Sequence, residues 1–257
     1  MTALAPLGDA SAIELFHLAF LRVLQGRLKQ DLYVLKGGAN LRYFFESVRY
    51  SEDVDLDAHG IEVWELEEKV DGVIGGTALP VLMRSHGVVI AEVSKPKQTE
   101  TTQRWKVGLE LPGREQPLRT KIEFSRRNGD ERHLLEAVPG RIVRPYALAA
   151  PTVRHYLAEA AVEQKVAALE DRNETQARDV FDLELLLRRN PALAAPLDPG
   201  LREHAAERAL ELDYRAFGDQ VLNFLDPEIA ELYTQPESWE QLRGFVVETL
   251  LSAEELA

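Results

Sequence analysis

Residues 54–58, Val-Asp-Leu-Asp-Ala, alternate apolar and acidic side chains. That period of two fits a half-buried strand, because successive side chains leave a strand on opposite faces. Val54 and Leu56 are predicted to enter a core, while Asp53, Asp55 and Asp57 share the other face. Carboxylates so placed repel one another, and burying them uncompensated is costly. Just upstream, residues 31–36 (Asp-Leu-Tyr-Val-Leu-Lys) read as a second short strand, broken by Gly37-Gly38. A helix is predicted to follow from Ala39. The opening pattern is therefore strand, glycine turn, helix, acidic strand.

The rest of the chain divides by its periodicity. Residues 11–29 are predicted as a helix, with Ile13, Phe16, Phe20 and Leu24 at helical spacing. Ser11 is placed as its N-cap and Glu14 as the partner in a capping box. His17, on the same apolar helix, reads as a satisfied core residue. Residues 62–71 also look helical. Between 79 and 125 the text is rich in strand formers, in VLMRSHGVVIAEVS, TQRWKVGLEL and LRTKIEFS. Turn signals at Lys95-Pro96 and Pro112-Gly113 suggest two or three antiparallel strands. After Pro145 the pattern is helical, over 152–170 and 174–189, with two or three further helices behind them. The change near 145–151 suggests two domains, 1–148 and 149–257.

Composition removes several chemistries. The 257 residues include no cysteine, so disulfides, thiol nucleophiles and thiolate zinc sites are excluded. The six histidines are scattered, with no His-Glu-x-x-His. Gly-x-Ser-x-Gly, Walker and Gly-x-Gly-x-x-Gly patterns are also missing. No uncharged apolar run reaches the length of a membrane span, and the first residues do not read as a secretory signal. The expectation is a cytoplasmic protein with no membrane partner. The net charge of −13 is uneven. Residues 1–83 carry 7 basic and 13 acidic residues, 84–144 carry 13 and 8, and 145–257 carry 10 and 22. A basic middle that could meet phosphates thus lies between acidic ends.

Three groups of residues carry candidate chemistry. Gly37 and Gly38 open a helix whose free N–H groups suit a phosphate. Asp53 and Asp55 offer hard oxygens to a divalent cation such as Mg²⁺, which keeps waters and phosphates as its other ligands. A calcium loop is excluded, because its pattern needs Gly and Glu where Ala58 and Trp64 stand. Glu123, in the alternating Thr120–Phe124, could join from a neighbouring strand. Lys165 emerges among Ala161, Ala168 and Leu169, and Arg178 and Asp182 are spaced to pair along a helix. Arg104 and Lys106 are expected on one strand face and Trp105 on the other, toward the core.

Taken together, these residues resemble the AbiEii-like nucleotidyltransferases, toxins of type IV-like toxin–antitoxin pairs within the polymerase-β-like superfamily. The resemblance rests on Leu35-Lys36-Gly37-Gly38, Arg49-x-Ser51-x-Asp53-x-Asp55 and Lys121-x-Glu123. It continues with Gln164-Lys165-x-x-Ala168-Leu169-x-x-Arg172 and Arg178-Asp179-x-x-Asp182-Leu183. The chain departs from the superfamily at Ala39, where a serine is usual, and at Asn40.

The resemblance implies an α/β (α+β) fold: a mixed sheet with flanking helices, followed by an all-α C-terminal domain. It implies transfer of a nucleoside monophosphate from an NTP, with Mg²⁺ or Mn²⁺, to the 3′ end of tRNA. Asp53, Asp55 and Glu123 would be the metal ligands. Gly37, Gly38, Ser51 and Lys165 would bind nucleotide, with Asp179 orienting Lys165 or the acceptor in a cleft between the domains. Ser51 matches a position whose phosphorylation restrains some relatives, so an antitoxin or kinase partner is expected. The alternatives are a small-molecule acceptor such as an aminoglycoside, a protein hydroxyl, and a degenerate enzyme serving as a binding partner.

Overall fold

The structure, a computed structural model, describes residues 7–126 and 131–256. The chain forms two compact units. One holds the residues up to Phe44 and Tyr50–Tyr156, and the other holds Phe45–Arg49 and the residues from Leu157.

The first unit runs α1 (Asp9–Leu24), β1 (Tyr33–Lys36), α2 (Gly37–Phe44), β2 (Asp53–Ala58), α3 (Val63–Ile74) and α4 (Ala78–Ser85). It continues with β3 (Val89–Gln98), β4 (Thr102–Glu110), β5 (Leu118–Ser125), β6 (His133–Ala137), α5 (Gly140–Val143) and β7 (Thr152–Tyr156). The strands make one mixed sheet in the order β3-β4-β5-β2-β1-β7-β6. β2 pairs antiparallel with β1 and parallel with β5, and β1 pairs parallel with β7.

The alternating patterns explain the sheet's sidedness. Val54 and Leu56 of β2, Trp105 and Val107 of β4, and Ile122 and Phe124 of β5 are buried in one core. Arg104 and Lys106 leave β4 on the opposite face from Trp105, as their alternation predicts. α1 is buried from Ala12 to Leu21, and its buried polar residues, Glu14 and His17, find partners inside. Glu14 accepts from Arg42 Nε and from the Tyr146 hydroxyl, both at 2.7 Å. His17 Nε2 lies 2.7 Å from Thr120 Oγ1, whose own proton goes to the Glu52 carbonyl, also at 2.7 Å. His17 is therefore the donor to Thr120, and burial pushes its pKa down to about 3.

Several local expectations change. α1 starts at Asp9 with Gly8 as an N-cap that makes no side-chain bond. Glu14 is drawn to Arg42 and Tyr146 and takes no part in a capping box. Residues 78–85 are helical, because Leu79 and Met83, four apart, bury together, and Gly87 at φ +75° ends the segment. Lys95-Pro96 is no turn: it sits inside β3 at a register irregularity, and an edge strand tolerates proline there. The segment 152–156, expected to start a helix, is strand β7. The first unit accordingly extends to Tyr156, beyond the change of pattern near 148.

The second unit is helical: α6 (Ala158–Asp171), α7 (Ala177–Arg189), α8 (Pro199–Leu210), α9 (Tyr214–Gln220), α10 (Pro227–Ala230) and α11 (Pro236–Leu251). Asp198 caps α8 by accepting from the Leu201 N–H at 3.0 Å, and Pro199 occupies the first turn. Its aromatic core stacks Phe217 on Trp239 at 4.8 Å, with Phe181 and Tyr233 against Phe217. Among the described residues no helix is long and apolar enough to cross a membrane.

Candidate active site

The parallel pairing of β2 with β5 places charged residues opposite one another. Asp53 faces Lys121 and Asp55 faces Glu123, and on the next strand Arg104 faces Glu123. Each carboxylate at the ends of this row has a cation. Lys121 binds Asp53 twice, through its backbone N–H to Oδ1 at 3.2 Å and its ammonium to Oδ2 at 2.7 Å. Arg104 Nε donates to Glu123 Oε2 at 2.6 Å. Asp55 lies between them. Loss of solvent around it raises its carboxyl above the ordinary value. Lys121 pulls the other way, and the negative charges of Asp53 and Glu123 push it further up. For Lys121, burial opposes the charge, but Asp53, Asp55 and Glu123 outweigh it and hold the ammonium above its usual value.

The glycine turn closes against this row. Gly37 adopts φ +67°, and a Cβ built on it would stand 3.0 Å from Asp55 Oδ2. A side chain there would be strained and would crowd the carboxylate. Gly38 lies in the first turn of α2. Asn40, one turn along, ties α2 to β7: its amide donates to the Tyr156 carbonyl at 3.0 Å, and its Oδ1 lies 3.0 Å from His155 Nδ1. Asp57 is not part of this row. It is buried, paired with Lys36, and accepts from the Tyr156 hydroxyl at 2.8 Å. Ser51 donates its hydroxyl to the Asp53 carbonyl at 2.9 Å and so orders the entry into β2.

The donors suit a hard cation, but not as a set of three. Among the described residues no group of three or more His, Asp or Glu side chains is placed to hold a metal ion. Glu123 is engaged by Arg104, and Asp53 by Lys121. Asp55, beside Asp53 on the same face of β2, has Gly37 without a side chain against its Oδ2. Two carboxylates fit Mg²⁺ or Mn²⁺ arriving with phosphate oxygens as further ligands.

In the second unit, Lys165 and Asp179 belong to a buried ionic cluster. Lys165 Nζ donates to Asp179 Oδ1 at 2.7 Å and to Asp182 Oδ2 at 2.6 Å. Arg49 grips Asp182 with Nη2 at 2.8 Å from Oδ2 and 3.0 Å from Oδ1. Arg172 Nη1 lies 3.1 Å from Asp179 Oδ2, a contact without hydrogen-bond alignment. Burial works against the charge of Asp182, yet Arg49 and Lys165 prevail and its carboxyl stays below the ordinary value. The role of Arg49 in this cluster was not legible, because its partner lies 133 positions away.

The basic middle is largely engaged locally. Lys95 pairs with Glu67 and Asp71, Arg119 with Glu92, and Arg126 donates to the Ile61 carbonyl and to Gln103. Lys97 and Lys106 are exposed on the β3–β4 hairpin. Arg127, also within the basic middle, lies outside the described residues.

The fold has counterparts among solved structures. Among solved structures, JHP933 from Helicobacter pylori superposes with a TM-score of 0.62 at 20% identity, covering 98% of this chain and 95% of that one. A structure from H. pylori, of a protein provisionally described as a nucleotidyltransferase, gives a TM-score of 0.65 at 20% identity, with 97% of each chain covered. At that identity the likeness is one of fold: a mixed sheet with flanking helices and a helical C-terminal region. No curated protein matches the chain. The family model "Nucleotidyl transferase AbiEii toxin, Type IV TA system" matches residues 20–252, and the chain belongs to this family of nucleotidyltransferase toxins.

Proposed function

We propose that the protein transfers a nucleoside monophosphate from an NTP to the 3′ end of tRNA, as the cytoplasmic toxin of a toxin–antitoxin pair. The reading rests on one observation, the placing of Asp53 and Asp55 on one strand face with Gly37 against Asp55. Asp53 and Asp55 would hold Mg²⁺ or Mn²⁺. Bound there, the ion would lower the charge on the triphosphate and favour attack by the acceptor hydroxyl. The acceptor oxygen bonds to the α-phosphorus as the bond to pyrophosphate breaks. The N–H groups where α2 begins, at Gly37 and Gly38, are suited to receive phosphate oxygens. Lys165 is assigned to triphosphate charge, with Asp179, its partner at 2.7 Å, orienting the ammonium. Glu123 is a proposed ligand only if it leaves Arg104.

A small-molecule or protein acceptor is the second reading. The net charge of −13 and the local pairing of Lys95, Arg104 and Arg119 favour it. Incubation with each labelled NTP, with and without total tRNA, separates the two. An RNA acceptor predicts transfer that weakens with salt, with a log–log slope near −0.7 per phosphate neutralised. Reversing Lys97 and Lys106 to glutamate should reduce labelling of RNA and spare NTP binding. Transfer independent of salt, or no labelled RNA, rejects the tRNA acceptor.

Ser51 is proposed as the control point for an antitoxin or kinase. A phosphate on its hydroxyl would abolish the bond to the Asp53 carbonyl and add a charge of about −1.5 to −2 beside Asp53. Ser51→Asp should lose most activity while Ser51→Ala keeps most of it. Equal activities of the two variants in labelled-NTP transfer to total tRNA would leave no role for charge at this position.

A further inference from the structure

Lys121 is a basic residue with an acidic assignment to fulfil. Pairing in register sets it opposite Asp53, and it occupies both oxygens of that carboxylate, one through the main chain and one through the ammonium. Its other neighbour across the sheet is Lys106, its register partner on β4. Like charges facing across strands repel, so the Lys121 ammonium is pushed toward the carboxylates. The row Asp53, Asp55, Glu123 meets the positive charges of Lys121 and Arg104, and Lys36, opposite Asp55 on β1, is paired with Asp57. Arg104 is directed at Glu123, which leaves Lys121 as the cation for Asp53. The Lys121 side chain is 28% exposed, and its four-carbon stem is flexible. It can leave Asp53 without disturbing the strand, because the backbone N–H holding Oδ1 stays in place.

We propose that Lys121 is the resident counter-cation of the site: its ammonium occupies Asp53 in the metal-free protein, and a divalent cation takes Asp53 only by displacing it. This deepens the proposed function and rests on its assignment of Asp53 to metal. The consequence is selective loading. A bare ion competes with Lys121 for Asp53 and binds weakly. An ion carried by a triphosphate brings phosphate oxygens as ligands and offers the displaced ammonium a new anion. The site therefore fills with the metal–nucleotide complex in preference to the metal alone.

The test is titration with Mn²⁺ alone, read as the loss of the free-ion electron paramagnetic resonance signal, without nucleotide. Lys121→Met keeps the stem and removes the charge. It should bind Mn²⁺ about tenfold more tightly than the natural protein, the order of effect of one nearby charge on a carboxylate. Lys121→Arg retains a cation and should bind no more tightly than the natural protein. A thermal melt gives an independent readout, in which Mn²⁺ should raise the midpoint of Lys121→Met more than that of the natural protein. Unchanged or weaker Mn²⁺ affinity in Lys121→Met, with binding lost in Asp53→Asn, overturns the role of Lys121 and leaves the metal at Asp53. Mn²⁺ bound equally by the natural protein, Lys121→Met and Asp53→Asn, or by none of the three, overturns both.

Discussion

Asp55→Asn and Asp53→Asn should each lower nucleotide transfer at least about a thousandfold, yet move stability in different directions. The loss of rate follows from the proposed metal chemistry. A Lewis-acid cation contributes several kcal/mol at a transferring phosphoryl group, and each 1.36 kcal/mol is tenfold in rate. The divergence in stability follows from the geometry. Asp55 is raised by loss of solvent and by its two acidic neighbours. A carboxyl raised by folding favours the folded state while protonated and opposes it once ionised, so its contribution is lost as pH rises through its folded value. Asparagine removes that cost, and the melting midpoint of Asp55→Asn at neutral pH should equal or exceed that of the natural protein. Asp53 is different, because it holds Lys121 in a half-buried pair. Its replacement should cost about 1 kcal/mol or less. Labelled-NTP transfer and thermal melts on the two variants check both halves. Activity near the natural level in either variant would remove metal binding at this row.

Much of this site could be read before the fold was known, for a physical reason. The alternation in Asp53–Ala58 and Thr120–Phe124 is local, and period two alone assigns each side chain to a face. The glycine break after Lys36 is local as well. What escaped depends on partners distant in sequence. Strand Thr152–Tyr156 looks like the beginning of the helix that follows it. It is extended because β1 and β6 pair with it from either side. Glu14 sits at the capping-box position, but tertiary partners, Arg42 and Tyr146, decide where its carboxylate points. The occupation of Asp53 by Lys121 depends on the register of a parallel pair. No spacing rule gives that register, since the two strands are joined through two other strands and two helices. Glu123 is expected as a metal ligand from its alternation and from the resemblance, and alternation says which face it takes and nothing of Arg104 beside it.

The second large effect is on stability and lies in the helical unit. Asp182→Asn should destabilise the protein by about 3–5 kcal/mol, the range for removing one member of a buried ion pair. Asp182 is fully buried and bonds both Arg49, itself 3% exposed, and Lys165. Asparagine keeps the shape but removes the charge that Arg49 and Lys165 share. Asp182→Glu, which keeps the charge and lengthens the stem, should recover part of the loss. The pH dependence carries the same sign. Arg49 and Lys165 hold the Asp182 carboxyl below its ordinary value despite burial. The folded state therefore binds fewer protons than the unfolded chain below about pH 4, where an ordinary aspartate titrates. The stability that Asp182 supplies is complete above that value and is lost as pH falls through its depressed folded value. In Asp182→Asn this share of the acid sensitivity should vanish, so the difference between the two proteins should be widest at neutral pH and shrink as acid is added. Denaturant titrations at neutral pH and in steps below pH 4 measure it. A constant difference across that range, or natural stability in Asp182→Asn, would mean that packing and not charge holds Arg49 and Lys165 in place.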